Sequence, residues 1–257
     1  MINTERTYGL LSGTSMKLIA CILMAIDHAG IILFPGVIFF RAIGRLAFPL
    51  FAYFIAEGCK YTKNKLKHFL LIFITGSVYL VFYLVVYRTL YASVFLTFSF
   101  SILLIYLLDA MKASVLDAPR AYKIPLYTLG LGALIFALWV IFSVIPFDYG
   151  FFGMLAPAAA RLFDIGEREA PRFVKSLSSP PARIILLGLC LIPICLENQH
   201  GFISFFGILV PVQFLCLLSL PLLLLYNGKA GSRRLKYFFY LFYPLHLAVL
   251  ELVAFFL

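Results

Sequence analysis

Nine apolar runs, most of them close to the length that crosses a bilayer, constrain this chain more than anything else in it. They fall at about 16–35, 37–58, 68–87, 91–108, 124–145, 149–163, 183–197, 203–226 and 237–257. A membrane-spanning helix needs about 20 mostly apolar residues, because the hydrocarbon core is about 30 Å thick and each residue rises about 1.5 Å. With 63% hydrophobic and 12% charged residues, the chain cannot clothe a soluble domain of 257 residues in polar surface. The sixth and seventh runs are short and interrupted by Pro157 and Pro193. The expected fold is all-α: a polytopic integral membrane helix bundle of about nine transmembrane helices. No internal repeat, low-complexity segment or separate soluble domain is visible, so residues 1–257 read as a single transmembrane domain. The longest polar stretch, 164–182, reads as a solvated linker with room for a short surface helix.

The net charge of +10 would raise the question of nucleic acid in a soluble protein. Here the tendency of cytoplasmic loops to collect Lys and Arg explains it. Arg6 and Lys17 flank the first run, and Lys60, Lys63, Lys65 and Lys67 separate the second from the third. Lys112, Arg120 and Lys123 follow the fourth, Arg161 to Arg183 bridge the sixth and seventh, and Lys229 to Lys236 precede the ninth. If nine helices alternate from a cytoplasmic N-terminus, all of these fall on one side, with only Arg88 in an outer loop. The expected location is a membrane, with the N-terminus on the cytoplasmic side. The five cysteines show no CxxC spacing and no loop pairs, so neither a disulfide framework nor a zinc site is indicated. The polar N-terminus leads into a run holding Asp27 and His28 with no small-residue cleavage site, which predicts a retained span and not a signal peptide.

Charged groups inside a span cost about 2.5–3.5 kcal/mol each on insertion scales, so they tend to face a protein interior and to mark function. Lys17 and His28 are eleven residues apart, which returns them to nearly the same helix face with His28 roughly 16 Å above Lys17. That puts Lys17 at the cytoplasmic mouth and His28 near mid-membrane. Arg41 and Arg45, four apart, share a face of the descending second helix. Arg45 there reaches the depth of His28, so Asp27, His28 and Arg45 can form one network. A purely structural alternative has Asp27 and Arg45 pairing two helices while His28 bonds a backbone carbonyl. In the ninth run Tyr240, Tyr243 and His246 recur on one stripe beside the helix-breaking Pro244, with His246 again near mid-plane. Packing is the simpler account of the two tyrosines. Glu57 reads as a partner for Lys60 or its neighbours. Asp148, Glu197 and Glu251 read as outer-side acids, and His68 and His200 as solvated.

A tunnel with a basic inner mouth and a central imidazole suits a long anionic donor made in the cytosol. Coenzyme A has that shape, with phosphates at one end and a thioester at the end of a flexible arm. A neutral buried His serves as general base on an amine or hydroxyl, and Arg45 can stabilise the oxyanion of a tetrahedral intermediate. The candidate catalytic residues are therefore His28, Asp27, Arg45 and His246. Those for the donor are Lys17, Arg41, Lys229, Arg233 and Lys236, and no metal is expected.

Five stretches carry a family resemblance: MKLIACILMAIDHAG (16–30), RAIGRLAFPLFAYFIAEG (41–58), DYGFFGMLAP (148–157), YNGKAG (226–231) and KYFFYLFYPLHLAVLE (236–251). In order along the chain they resemble the TraX family, whose named member N-acetylates the pilin subunit of conjugative F-type pili. The Lys17–His28 spacing also resembles the basic-residue, ten-residue, His signature of the wider membrane acyltransferases, which include OafA-type sugar O-acetyltransferases and heparan-alpha-glucosaminide N-acetyltransferase. That resemblance implies a catalytic His28 and a Lys17 that contacts the acyl-CoA; many such enzymes carry Arg at the basic position. It implies acetyl-CoA as co-substrate. The implied partners are an extracytoplasmic protein or glycan acceptor such as pilin and the lipid bilayer, with no nucleic acid. N-acetylation of a peptide and O-acetylation of a glycan both remain open. The competing reading is a transporter or proton relay using Asp27, His28 and Arg45, although the matched broken repeats of such proteins are not visible.

Overall fold

The computed structural model describes residues 9–116, 118–165, 171–197, 201–205 and 207–257. Eleven α-helices are present among them: α1 (Gly13–Ile32), α2 (Ile38–Gly44), α3 (Ala47–Tyr61), α4 (Lys65–Tyr87), α5 (Val94–Leu116), α6 (Ile124–Val144), α7 (Gly150–Ala159), α8 (Arg172–Leu177), α9 (Pro180–Glu197), α10 (Ser219–Leu224) and α11 (Lys236–Phe256). Seven segments are long and apolar enough to cross a membrane: α1, the α2–α3 pair, α4, α5, α6, α9 and α11. The sixth and eighth apolar runs instead hold shorter apolar helices, Gly150–Ala159 and Val212–Leu224. The fold is an all-α polytopic membrane bundle. The expectations for Arg6, Arg168 and His200 lie outside the described residues.

Backbone chemistry explains where the runs break. Ser12 caps α1 by accepting a hydrogen bond from the Ser15 amide at 3.2 Å, and Pro35 and Gly36 lie just beyond its end. The second run splits after Gly44 because Pro49 has no amide to give the Arg45 carbonyl and its ring crowds that carbonyl. The run expected at 203–226 is no single helix. Strand β1 (Phe202–Phe205) pairs antiparallel with β2 (Ile208–Pro211), and a 3-10 turn over Val212–Leu218 then leads into α10. Gly201 and Gly207 sit at φ 92° and 84°, which L side chains rarely adopt, and Pro211 closes the second strand.

Two compact units divide the chain: Met1–Phe54 with Leu191–Leu257, and Ile55–Cys190. Buried ion pairs organise the second. Asp109 on α5 meets Lys112 and Arg161 at 2.9 Å each, and Arg161 also meets Asp164 at 3.1 Å. Arg183 pairs with Glu57 at 2.6 Å, and Lys60 lies 3.7 Å from Asp164. From the sequence, Asp164 is expected at the edge of the solvated 164–182 linker, Arg161 and Arg183 among the basic residues between the sixth and seventh runs, and Glu57 beside Lys60 or its neighbours. The helices extend past their apolar runs, α5 as far as Leu116, and carry these charges inward, where opposite partners satisfy them. The short surface helix expected in that linker is α8, none of whose residues is buried.

Asp148 and His68 also have structural partners. Asp148 accepts hydrogen bonds from the Tyr91 hydroxyl and from the Val94 amide at the start of α5. Burial, reinforced by that carboxylate, pushes the Tyr91 phenol well above its ordinary value. A raised phenol stabilises the fold below the ordinary tyrosine pKa, and that contribution disappears only as pH climbs through the raised one. His68, half-buried, places Nδ1 2.9 Å from the Tyr106 hydroxyl, so it is packed and not solvated.

Candidate functional site

The first unit gathers the polar residues of α1, α2 and α11. α1 and α2 form an antiparallel pair held close by two glycines. A Cβ on Gly30 would strike the Phe40 side chain, and one on Gly44 would overlap Asp27 Cβ and Oδ1. This is the small-residue contact that lets membrane helices approach backbone to backbone. It allows Arg41 and the residue that caps α2, Arg45, to reach Asp27 across the interface. In an unhindered helix Gly→Ala stabilises by about 1 kcal/mol. At Gly44 we expect the reverse: Gly44→Ala lowers the melting temperature of the detergent-solubilised protein, read by thermal unfolding. A rise would remove the close contact.

Asp27 is 7% exposed and both of its oxygens are engaged. Arg41 Nη1 donates to Oδ2 at 2.9 Å, and Arg45 Nη2 donates to Oδ1 and Oδ2 at 2.8 and 2.7 Å. Arg45 Nη1 also donates to the Gln213 side-chain carbonyl at 3.1 Å. Sequence reasoning missed Gln213, a neutral amide inside an apolar run. It is 3% exposed and stands two residues after the hairpin. Nearby, Cys195 Sγ lies 3.5 Å from Cys216 Sγ and 3.5 Å from the Gln213 carbonyl oxygen.

His28 does not join this carboxylate clamp by a hydrogen bond to Arg45. The helix turns by about 100° per residue, so His28 leaves α1 in a different direction from Asp27 and meets α11. His28 Nδ1 lies 2.9 Å from His246 Nε2, with ring centroids 4.9 Å apart. His246 Nδ1 lies 2.7 Å from the Phe242 carbonyl, its ring stacked on that of Phe242. Tyr243, 3% exposed, meets the His28 ring edge-on at 6.0 Å. Tyr240, also on the expected stripe, is only half-buried.

The pairing fixes the tautomers. A carbonyl only accepts, so His246 Nδ1 carries a proton. With both rings neutral, His246 Nε2 is then the acceptor, His28 Nδ1 is the donor, and His28 Nε2 keeps its lone pair. The second imidazole and the Phe242 carbonyl therefore hold the first in the form that can take a proton at Nε2.

Lys17 stands at the other end of α1. Its Nζ lies 5.5 Å from the Phe54 ring centroid and 5.8 Å from that of Phe239. Such contacts are worth about 0.5–2 kcal/mol and hold an ammonium at an apolar boundary. Lys17 meets Phe239, and His28 meets His246 seven residues further on, so α1 and α11 run parallel. His28 lies about 22 Å along an α1 about 30 Å long, beyond the midpoint expected from the sequence, whereas His246 is halfway along α11.

The YNGKAG segment seals the Lys17 end. Gly13 donates its amide to the Lys229 carbonyl at 2.8 Å, and Thr14 Oγ1 donates to the carbonyls of Ala230 and Ser232. Gly231, at φ 79°, has no room for a Cβ against Thr14 Oγ1. Lys229 itself is exposed. The side chains of Arg233 and Lys236 lie outside those described. Among the described residues, no three His, Cys, Asp or Glu side chains gather as a metal site.

Membrane-spanning helices with a polar interior built by α1, α2 and α11 define a polytopic membrane protein. The chain belongs to the TraX family, matching the family described as TraX protein over residues 12–254. It is similar to the probable fimbrial assembly protein FimC, serogroup H1, of Dichelobacter nodosus, at 27% identity over 248 residues, 93% of this chain and 94% of that protein. No solved structure matches it.

Proposed function

We propose that this chain is an acetyl-CoA-dependent acetyltransferase of the bacterial inner membrane, with His28 as general base and its N-terminus in the cytosol. The observation that carries the reading is the His28–His246 pair, which leaves His28 Nε2 as a proton acceptor on the helix that carries Lys17. Lys17, with exposed Lys229 near the start of α1, supplies the positive charge for the donor's phosphates. The separation of about 16 Å between Lys17 and His28 suits the pantetheine arm. His28 Nε2 takes the proton of an acceptor amine or hydroxyl as its nitrogen or oxygen attacks the thioester carbonyl. The tetrahedral intermediate then collapses with loss of the coenzyme A thiolate, which recovers the proton from His28. The products are the acetylated acceptor and free coenzyme A thiol. The fimbrial assembly role named for the relative supports an extracytoplasmic surface appendage or envelope component as acceptor, pilin among them. The parallel course of α1 and α11 is consistent with an N-terminus and a last helix arranged as the basic clusters require.

The deciding measurement is acetyl-CoA itself. Purified protein in detergent is expected to bind it and to release thiol slowly by hydrolysis; neither binding nor release would defeat the enzyme reading and favour a proton relay. Lys17→Ala is expected to weaken acetyl-CoA about tenfold, about 1.4 kcal/mol, with little change in kcat at saturation. An unchanged KM would detach Lys17 from the donor.

A further inference from the structure

We infer that Cys195 and Cys216 form a reversible dithiol–disulfide site in the extracytoplasmic half of the first unit, and that its oxidation draws Gln213 off Arg45. From the acetyltransferase reading this takes only the cytosolic N-terminus.

Of the five cysteines, these two lie Sγ to Sγ at 3.5 Å, and both are fully buried. Burial by itself is ordinary for a free cysteine, which packs as a small apolar residue. Contact between two of them, brought together from α9 and from the turn after the hairpin, is not. A disulfide holds its sulfurs about 2.05 Å apart, so closure by about 1.5 Å joins them. The backbone on each side is of a kind that yields by that much. Cys195 lies two residues after Pro193, which has no amide to give the Leu189 carbonyl inside α9. Cys216 lies in a seven-residue 3-10 segment, longer than the run of about three or four residues over which that geometry is ordinarily sustained. A poorly bonded segment opens locally at low cost, which admits a reagent to sulfurs that are otherwise covered.

Oxidation proceeds by thiol–disulfide exchange with a small external disulfide. One thiolate attacks a sulfur of the oxidant and releases one thiol; the second cysteine then attacks the mixed disulfide and releases the other. Two protein S–H bonds become one S–S bond, and both hydrogens leave on the two thiols formed from the oxidant. Disulfides persist in extracytoplasmic compartments. Gln213 ties the pair to that side, because Arg45 joins its side-chain carbonyl to Asp27, about 21 Å along α1 from the cytosolic end.

The same turn couples the sulfurs to the carboxylate clamp. Cys195 Sγ donates to the Gln213 backbone carbonyl at 3.5 Å, and Gln213 is three residues before Cys216. Residues three apart in a 3-10 segment stand one above the other. Joining the sulfurs removes the S–H that holds that carbonyl and pulls this edge of the turn towards α9. Arg45, gripped through both Asp27 oxygens, does not follow, so its 3.1 Å bond to Gln213 lengthens.

Spheroplasts of cells expressing the full chain, incubated for hours with oxidised glutathione outside, give the test. After acid quenching, free thiols are blocked in denaturant, and the oxidised ones are reduced and tagged with a polyethylene-glycol maleimide. Two tags are expected on the wild type, and peptide mass spectrometry is expected to find Cys195 joined to Cys216 with loss of two hydrogens. Dithiothreitol applied to the folded protein is expected to restore both thiols. No bond, a bond to another cysteine, or one that forms only in denaturant overturns the inference. So does formation only in inverted vesicles, which marks the cytosolic side, and so does a bond that dithiothreitol never opens in the folded protein. Gln213→Met, close in size, tests the link to the clamp. It is expected to lower the melting temperature of the reduced protein in detergent by several degrees, and that of the oxidised protein by less. Equal losses overturn the link. Neither readout involves acetyl-CoA, so the site stands or falls separately from the enzyme reading.

Discussion

His28→Ala is expected to lower acetyl transfer by about 10²–10⁴-fold while acetyl-CoA still binds with near-normal affinity. The split follows from the geometry, because Lys17 and its aromatic cage stand about 16 Å from the imidazole and are untouched by the change. His246→Ala is the informative companion. It leaves the His28 lone pair in place but removes the ring that orients it, so a loss of about 10²-fold is expected, the scale of a misplaced reacting group. His246→Gln, which can still accept from His28 Nδ1, should recover part of it. Steady-state thiol release at saturating donor measures all three. If His28→Ala retains full transfer, the imidazole pair is structural and the proposed chemistry lies elsewhere.

Asp27→Asn is expected to have the largest effect on stability. The carboxylate is the shared partner of two guanidiniums, and removing one member of a buried ion pair costs about 3–5 kcal/mol because the other charge is left uncompensated. Thermal unfolding in detergent should show a drop of many degrees, and much less protein should reach the membrane. Combining Asp27→Asn with Arg45→Met removes one of the stranded charges and should restore part of the loss. A double variant no better than the single one would show that the Asp27 contacts matter for something other than charge.

The membrane character of the chain was legible because it depends on composition and run length alone. The Lys17–His28 spacing and the Arg41–Arg45 pair were legible for a similar reason: helical periodicity converts sequence offsets into directions. Partners were harder to read. Matching depth suggested Arg45 for His28, but Asp27 takes both arginines and His28 turns to His246. Depth along a helix carries no information about which neighbour stands on which side. The hairpin at 202–211 was hidden because a short apolar strand and a buried helical segment look alike in composition. Gln213 carries no charge to draw notice. The ion pairs around Arg161, Asp164 and Arg183 were hidden because charges between apolar runs are ordinarily solvated, and only tertiary packing turns these inward.

The imidazole pair joins α1 to α11, elements separated by about two hundred residues of chain. A ribosome feeding this protein into the membrane therefore delivers one half of the pair early and the other only after most of the remaining spans. Until α11 inserts, His28 has no ring to fix its tautomer, and the α1 N-terminus lacks the Gly228–Ser232 cover. Under the proposed chemistry a half-made chain would lack the completed imidazole pair, and a truncation that removes α11 is expected to show no acetyl transfer even with every earlier helix correctly in place.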